Sequence, residues 1–337
     1  RLWDVALSQT EIIGWICSPI DLTHPNYNNL MGYWRLNDGQ GTIAVDQSAN
    51  GNNGTLIGGT QWQTSTSCFG STAQPLTYVP DDNFENYLEA NGMGDGILLN
   101  DSVFTSAIDT VTFLDVYNQN ISDLTGIEDF TSLTNLECED NQLGSLDVSN
   151  NTALTHLESR YNQLTSLDIS NNSALTYLEC DVNHLTSLDV SNNTNLTSLS
   201  CSVNQLTALD VSNNTALIEL DCFQNQLTSL DVSNNTSLIA LSTRENHLTV
   251  LDVSQNTALI GLGCNDNQLT SLDVSNNIIL TDLECDDNQL ASLDVRNGNN
   301  MNMGFSSSNN PNLFCIDVDD VAFSNSSWTI TNGSIDA

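Results

Sequence analysis

The chain has 337 residues, and its 42 acidic side chains face only five arginines and no lysine, a formal net charge of −37. That balance excludes nucleic acid as a partner, because phosphates need a basic surface, and it sets the chain against anionic membranes. No apolar run approaches the ~20 residues of a membrane-spanning helix, so no membrane insertion is expected. The sequence opens on Arg1 without a start methionine or signal peptide, and it reads as a piece of a longer exported chain.

Residues 1–75 are rich in Trp and Gly and lack the periodicity found further on. RLWDVALSQTEI, from Arg1 to Ile12, resembles the closing strand of a laminin-G or concanavalin-like jelly roll. GYWRLNDGQGTIAVDQSANGNNGTLIGGTQW, from Gly32 to Trp62, resembles the opening strands of the same family. The resemblance implies glycan or adhesion-type binding, often with calcium, but the long middle of the jelly roll is missing, so only a partial β segment is expected. Asp38, Asp46 and Asn50 suit calcium, but they are read first as a polar turn. Cys17 and Cys68 are candidates for a disulfide, which fits an exported protein, and Cys315 is left over.

Residues 76–110 are expected to cap the region that follows. Asp81 and Asp82 come after Pro80, and Phe84, Tyr87 and Leu88 then recur at helical spacing, which predicts a short amphipathic helix with an aspartate at its start. The segment NGMGDG, Asn91 to Gly96, lacks the ligand spacing of an EF-hand and is read as a turn.

From Leu133 to Asn300 one 21-residue unit is written eight times, the fourth copy reading LTSLSCSVNQLTALDVSNNTA, Leu196 to Ala216. Apolar residues fall at positions 1, 4, 6, 11, 14 and 16, which in the third copy are Leu175, Leu178, Cys180, Leu185, Leu188 and Val190. Alternation at positions 4 and 6, and again at 14 and 16, predicts two short half-buried strands per copy. One copy cannot bury six apolar groups alone, so the copies must stack as a solenoid. Position 9 is always asparagine, from Asn141 to Asn288. Its amide both donates and accepts, and can pair the buried backbone groups of a bend. Position 6 holds Cys138, Cys180, Cys201, Cys222, Cys264 and Cys285, with Ser159 and Thr243 in the gaps. These sulfurs form a line rather than converge on a point, so they are read as buried thiols and not as metal ligands.

The pattern LxxLxCxxNxL followed by LxxLDVSNN resembles the leucine-rich repeat family, and most closely a bacterial subclass of nested repeats with a second LxxLxVxxN in the convex half. The resemblance spans 111–321, about ten coils. It implies a right-handed, β-rich solenoid with a parallel sheet on its concave face, short strands on its convex side, and protein or glycan binding rather than catalysis. Val111–Ser132, VTFLDVYNQNISDLTGIEDFTS, is a divergent first coil similar to the first repeats of internalin-like proteins. Met301 to about Asp320 is read as a degenerate last coil in which Asn309 keeps the position-9 phase and Met301 and Gly304 replace leucines. Residues 322–337 are expected to close the solenoid.

Positions 3, 5, 7 and 8 are read as facing outward from the first strand, so variation there reports on function. The candidate binding residues are Glu158, Arg160, Tyr177, Glu179, Asp181, Asp221, Phe223 and Arg244. The acidity of this face has three competing readings: solubility in salty surroundings, a basic protein partner, and calcium shared between adjacent coils. For calcium the candidates are Glu137, Asp140, Asp286 and Asp287, and no other cofactor is expected. The constant aspartates at position 15, from Asp147 to Asp294, are read as structural acceptors for the following SNN turn. No nucleophile elbow, HExxH or phosphate-binding glycine loop is present, so no enzyme is expected. The sequence points to an extracellular or cell-surface binding or adhesion module for a protein or glycan partner. Its rivals are a non-catalytic targeting appendage of a larger secreted carbohydrate-active enzyme, and a structural spacer.

Overall fold

A computed structural model of the chain describes residues 1–8, 20, 22–34, 43–48, 50–55 and 74–328. The chain divides into two compact units, Arg1–Gln74 and Pro75–Ala337. Asp38 and the cysteine pair Cys17 and Cys68 lie outside the described residues.

In the first unit the described strands are short antiparallel pairs, Leu2–Trp3 with Leu30–Gly32 and Ile43–Ala44 with Gly54–Thr55. Asp46 holds the loop between the second pair. Its carboxylate accepts the backbone N–H groups of Tyr33 (2.7 Å), Ser48 (2.9 Å) and Asn52 (2.7 Å). Burial would raise its pKa, but these bonds and the Ser48 hydroxyl outweigh it and bring the pKa down to about 2. Asn50 donates its amide to the Leu30 carbonyl at 2.7 Å. Both side chains are therefore parts of a polar turn.

The second unit opens on a strand, Leu76–Tyr78, paired antiparallel with Ser102–Phe104. The expected helix follows as Asp82–Ala90, because Asp81 Oδ1 accepts the N–H groups of Asn83 and Phe84, both at 3.0 Å. The other oxygen of Asp81 accepts from the backbone N–H and hydroxyl of Ser122, each at 2.8 Å, which ties the cap to the first coil. Phe84 and Leu88, one helical turn apart, are fully buried, and the Phe84 ring packs against Phe130 with centroids 6.3 Å apart.

Ten three-residue strands then form one parallel sheet in chain order, from Phe113–Asp115 through Asn135–Glu137 and the following copies to Gly304–Ser306. They occupy positions 3 to 5 of each copy, with the position-4 leucines in register, as in Leu157↔Leu178↔Leu199. Leucines at positions 1, 4 and 11 and the residues at 6 and 16 face a single continuous core. The position-6 cysteines are fully buried within it. Burial pushes their thiol pKa values up, to about 12 at Cys264 and higher still at Cys138, Cys180 and Cys222. Iodoacetamide is therefore expected to label exposed Cys315 in the native protein and to reach these six sulfurs only after denaturation. Mass spectrometry of tryptic or Asp-N fragments reads the result, and native labelling at any of the six would contradict the packing.

The second strand differs from expectation. It pairs only near the C-terminal end, where Ser271–Asp273, Ser292–Asp294 and Ile316–Asp317 make a parallel sheet, and in an isolated bridge between Asp147 and Asp168. In the other copies the residues after the second strand position are held within their own coil. Asp147, Asp168, Asp189 and their successors accept the N–H two residues on, at 2.9 Å in the first three copies. The hydroxyl and N–H of the following serine hold these carboxyls below the usual range.

Two asparagine ladders stitch the coils together. The position-9 ladder is as expected: Asn204 Nδ2 donates to the carbonyls of Cys180 (3.0 Å), Cys201 (3.1 Å) and Ser202 (3.1 Å), while its Oδ1 accepts the Leu185 N–H at 3.0 Å. A second ladder runs at position 19 and is fully buried. There Asn193 Nδ2 donates to the carbonyls of Ile169 (3.0 Å) and Asn172 (2.9 Å) in the preceding coil. Among the described residues no donor reaches the Oδ1 of Asn151, Asn172, Asn193, Asn214, Asn235, Asn256 or Asn277.

Position 8 is not an outward strand position. Every copy places it in the left-handed region, from Asp140 at φ 54° to Asp287 at φ 52°. Aspartate and asparagine tolerate this conformation, whereas a β-branched side chain is strained in it. Val182 (φ 51°) and Val203 (φ 52°) are the strained members. Val182→Asn is expected to stabilise the protein by about 1 kcal/mol, seen as a higher urea midpoint at unchanged slope. An unchanged midpoint would show that the strain is relieved elsewhere.

The last coil is also phased differently from the expectation. Asn310, not Asn309, does the work of position 9, since its Oδ1 accepts the Leu290 N–H and its Nδ2 donates to the Cys285 carbonyl, both at 3.0 Å. Asn309 takes the left-handed position 8 at φ 55°. Phe305 and Met303, not Gly304 and Met301, supply the buried apolar groups. The cause is one extra residue around the turn at Gly298 (φ 78°) and the 3-10 turn Asn300–Asn302, which displaces everything after it.

Candidate functional site

Positions 3 and 5 of the ten-stranded sheet point away from the core because position 4 points in, and position 7 continues that outer row. In-register pairing brings Glu137, Glu158 and Glu179 side by side. Arg160 serves several carboxylates at once: its Nη1 is 3.5 Å from Glu179, and its Nη2 is 3.9 Å from Glu139 and 4.0 Å from Glu158. Burial, then the charge of Glu158, pushes the Glu137 carboxyl up, and burial does the same at Glu139. Tyr177 donates its hydroxyl to Glu179, and its ring stacks flat on His156, with centroids 4.2 Å apart and planes 5° from parallel. His156 Nε2 in turn lies 2.8 Å from Glu158 Oε1. Four of the candidate binding residues, Glu158, Arg160, Tyr177 and Glu179, thus form one cluster.

A second feature lies next along the sheet. Copies four, six and seven carry small residues at positions 3 and 5, namely Ser198 and Ser200, Ala240 and Ser242, and Gly261 and Gly263. They floor a trough of about 420 Å³, walled by Tyr177 and Glu179 on one side and by Asp282 and Glu284 on the other, with Glu219 and Asp221 rising from the strand between. Arg244 crosses it, with Nη1 3.3 Å from Glu284. It can do so because Gly263 has no side chain: a Cβ there would sit 2.6 Å from Arg244 Nε. Asp221 and Arg244 are the candidates that join Tyr177 and Glu179 here.

Asp181 and Phe223 stand apart from the trough lining. Asp181 accepts the Ser202 N–H at 2.7 Å and the Ser200 hydroxyl, and Asp221 accepts the Phe223 N–H at 3.0 Å. The calcium candidates are not brought together. Asp140 and Asp287 belong to the left-handed turn, and Asp286 accepts the Ser308 N–H at 2.8 Å. Glu137 instead groups with His156 and Glu158, their ligand atoms all within 4.8 Å of one another. Glu139, His156, Asp282 and Glu284 join these two features although they are not among the candidate binding residues. The signal that could have found the trough is the run of serine, alanine and glycine at positions otherwise filled by larger side chains.

Ten coils that share one leucine-lined core, one parallel sheet and an asparagine ladder define a leucine-rich repeat solenoid. No family model matches the chain. Over 82 residues it is 39% identical to internalin J of Listeria monocytogenes serotype 4b (strain F2365), a stretch that covers 24% of this chain and 9% of that protein. Among solved structures it is similar to the functional domain of internalin J from Listeria monocytogenes, described as including a cysteine ladder, at 33% identity and TM-score 0.43, covering 73% of this chain and 62% of that one. It is also similar to internalin C2 from the same species, at 22% identity and TM-score 0.45, over 73% of this chain and 100% of that one. The likeness to internalin J in sequence is local, confined to 82 residues, and the chain spans less than two thirds of the length of either internalin J comparison. Among the described residues no helix is long and apolar enough to cross a membrane.

Proposed function

We propose that this chain is a non-catalytic binding module of a bacterial cell-surface or secreted protein, and that it takes a basic segment of a protein partner in the trough of the concave sheet. The observation that carries the reading is the trough itself. Its floor of small residues leaves space for an inserted side chain, and carboxylates stand on both walls with Arg244 as their one cationic neighbour in the lining. A lysine or arginine entering between Asp221 and Glu284 gains charge-assisted hydrogen bonds, and the surrounding acidity steers it in. Glu158, Arg160, Asp181 and Phe223 form the rim. Residues 1–75 are read as a separate β segment, with 76–110, 111–321 and 322–337 as cap, coils and closure.

The test is a basic-peptide array followed by affinity measurement at several ionic strengths. Asp221→Lys with Glu284→Lys is expected to weaken the selected peptide at least ~10-fold and to flatten its salt dependence, with the thermal melt unchanged. Equal affinity in the double variant, or hits confined to a glycan array, would overturn the basic-peptide reading.

A further inference from the structure

We infer that Glu137, His156 and Glu158 form a binding site for a divalent transition metal of the zinc class on the N-terminal part of the sheet. The three side chains come from adjacent strands whose register is fixed: Glu137 pairs with Glu158, and His156 sits two residues before Glu158 on the same outer face. Their ligand atoms already lie within 4.8 Å of one another, so small side-chain rotations bring them to the ~3.4 Å spacing set by tetrahedral bonds of ~2.0–2.2 Å to one ion. All three are half-buried. The imidazole is held flat by Tyr177 at 4.2 Å, so its position does not depend on an ion.

A second observation beside the triad is a buried carboxylate oxygen without a donor. Glu139, two residues past Glu137 where that strand ends, is only 7% exposed, yet no donor among the described residues reaches its Oε2. A buried carboxylate oxygen without a partner is costly. The one guanidinium nearby, Arg160, is already divided between Glu139, Glu158 and Glu179, at 3.9, 4.0 and 3.5 Å. Three carboxylates and an imidazole around a single shared arginine leave room for a doubly charged ion.

The donor set selects among cations. Calcium and magnesium require oxygen ligands throughout, whereas one imidazole with two carboxylates suits zinc and its neighbours in the first transition row. Three protein ligands on an open sheet leave a fourth position to water. The site needs no protein partner, so it is tested on the chain alone.

Titration of the metal-stripped chain with zinc chloride by calorimetry is expected to show one saturable equivalent. His156→Gln and Glu137→Gln should each weaken it by more than the ~10-fold that loss of an outer-shell partner costs, while Asp266→Asn, at the left-handed turn of the seventh copy, leaves it unchanged. Cobalt(II) chloride should give visible absorption bands that His156→Gln alters. Circular dichroism melts of the variants confirm that the coil stack is intact, since all of these side chains lie on its outer face. Absence of a saturable zinc equivalent in the wild-type chain would overturn the site, as would zinc binding by His156→Gln equal to wild type or displacement of zinc by equimolar calcium.

Discussion

Asn204→Ala is expected to cost ~4 kcal/mol, among the largest losses any single polar substitution produces in this molecule. The amide at position 9 pairs one buried N–H, that of Leu185, and the carbonyls of Cys180, Cys201 and Ser202. Alanine leaves these groups buried without partners, and each orphaned group costs ~1–3 kcal/mol. Asn193→Ala, at position 19, removes two bonds rather than four, and its Oδ1 has no donor to lose. It should cost about half as much. Urea denaturation of both variants supplies the comparison. If the two substitutions proved equally damaging, the two ladders would not differ in the way their bonding implies.

Leu220→Ala should destabilise by ~3 kcal/mol, the usual range for an interior leucine. Leu220 is 1% exposed at the centre of the stack, and its neighbours Leu199 and Leu241 are fixed by pairing on both sides. The cavity therefore cannot be filled by collapse. Stability in a repeat array is a sum of nearest-neighbour contacts, so the damage should be local. Cys222, beside the cavity and normally sealed, should become the first of the buried sulfurs to react with iodoacetamide, ahead of Cys138 and Cys285 nearer the ends. Uniform labelling of all six would show that the stack opens as one unit.

Periodicity made the coil legible. A 21-residue repeat with leucine at four fixed positions admits few arrangements, and an invariant asparagine in a bend has an evident task. What stayed hidden was hidden for physical reasons. The buried row at position 19 lies in an SNN run whose composition is also that of an exposed turn, and sequence does not tell a turn amide facing inward from one facing water. The left-handed residue at position 8 is obscured by Val182 and Val203, which contradict the preference shown by Asp140, Asp266 and Asp287. On the convex side, alternation at positions 14 and 16 reports burial correctly, as at Leu188 and Val190, but alternation is silent on whether a neighbouring strand is close enough to pair. The trough is space left by small side chains at positions 3 and 5, and a sequence displays residues rather than the room between them. The grouping of Glu137 with His156 needs register, which links residues 19 apart and follows only once the strands are aligned.

In the interior copies the position-9 amide reaches the preceding coil by the same interval: Asn204 to Cys180, Asn225 to Cys201 and Asn246 to Cys222 each span 24 residues. The length of the molecule is thereby quantised. Excising Leu175–Asn195 would rejoin like to like, with every surviving position-9 amide finding an equivalent carbonyl, whereas a deletion within a coil that is not a whole number of copies would put the strand and ladder positions after it out of phase. Gene duplication or loss in whole modules can therefore lengthen or shorten the sheet by ~4.8 Å at a time, leaving the leucine core and the asparagine ladders in phase while the outer-face side chains change.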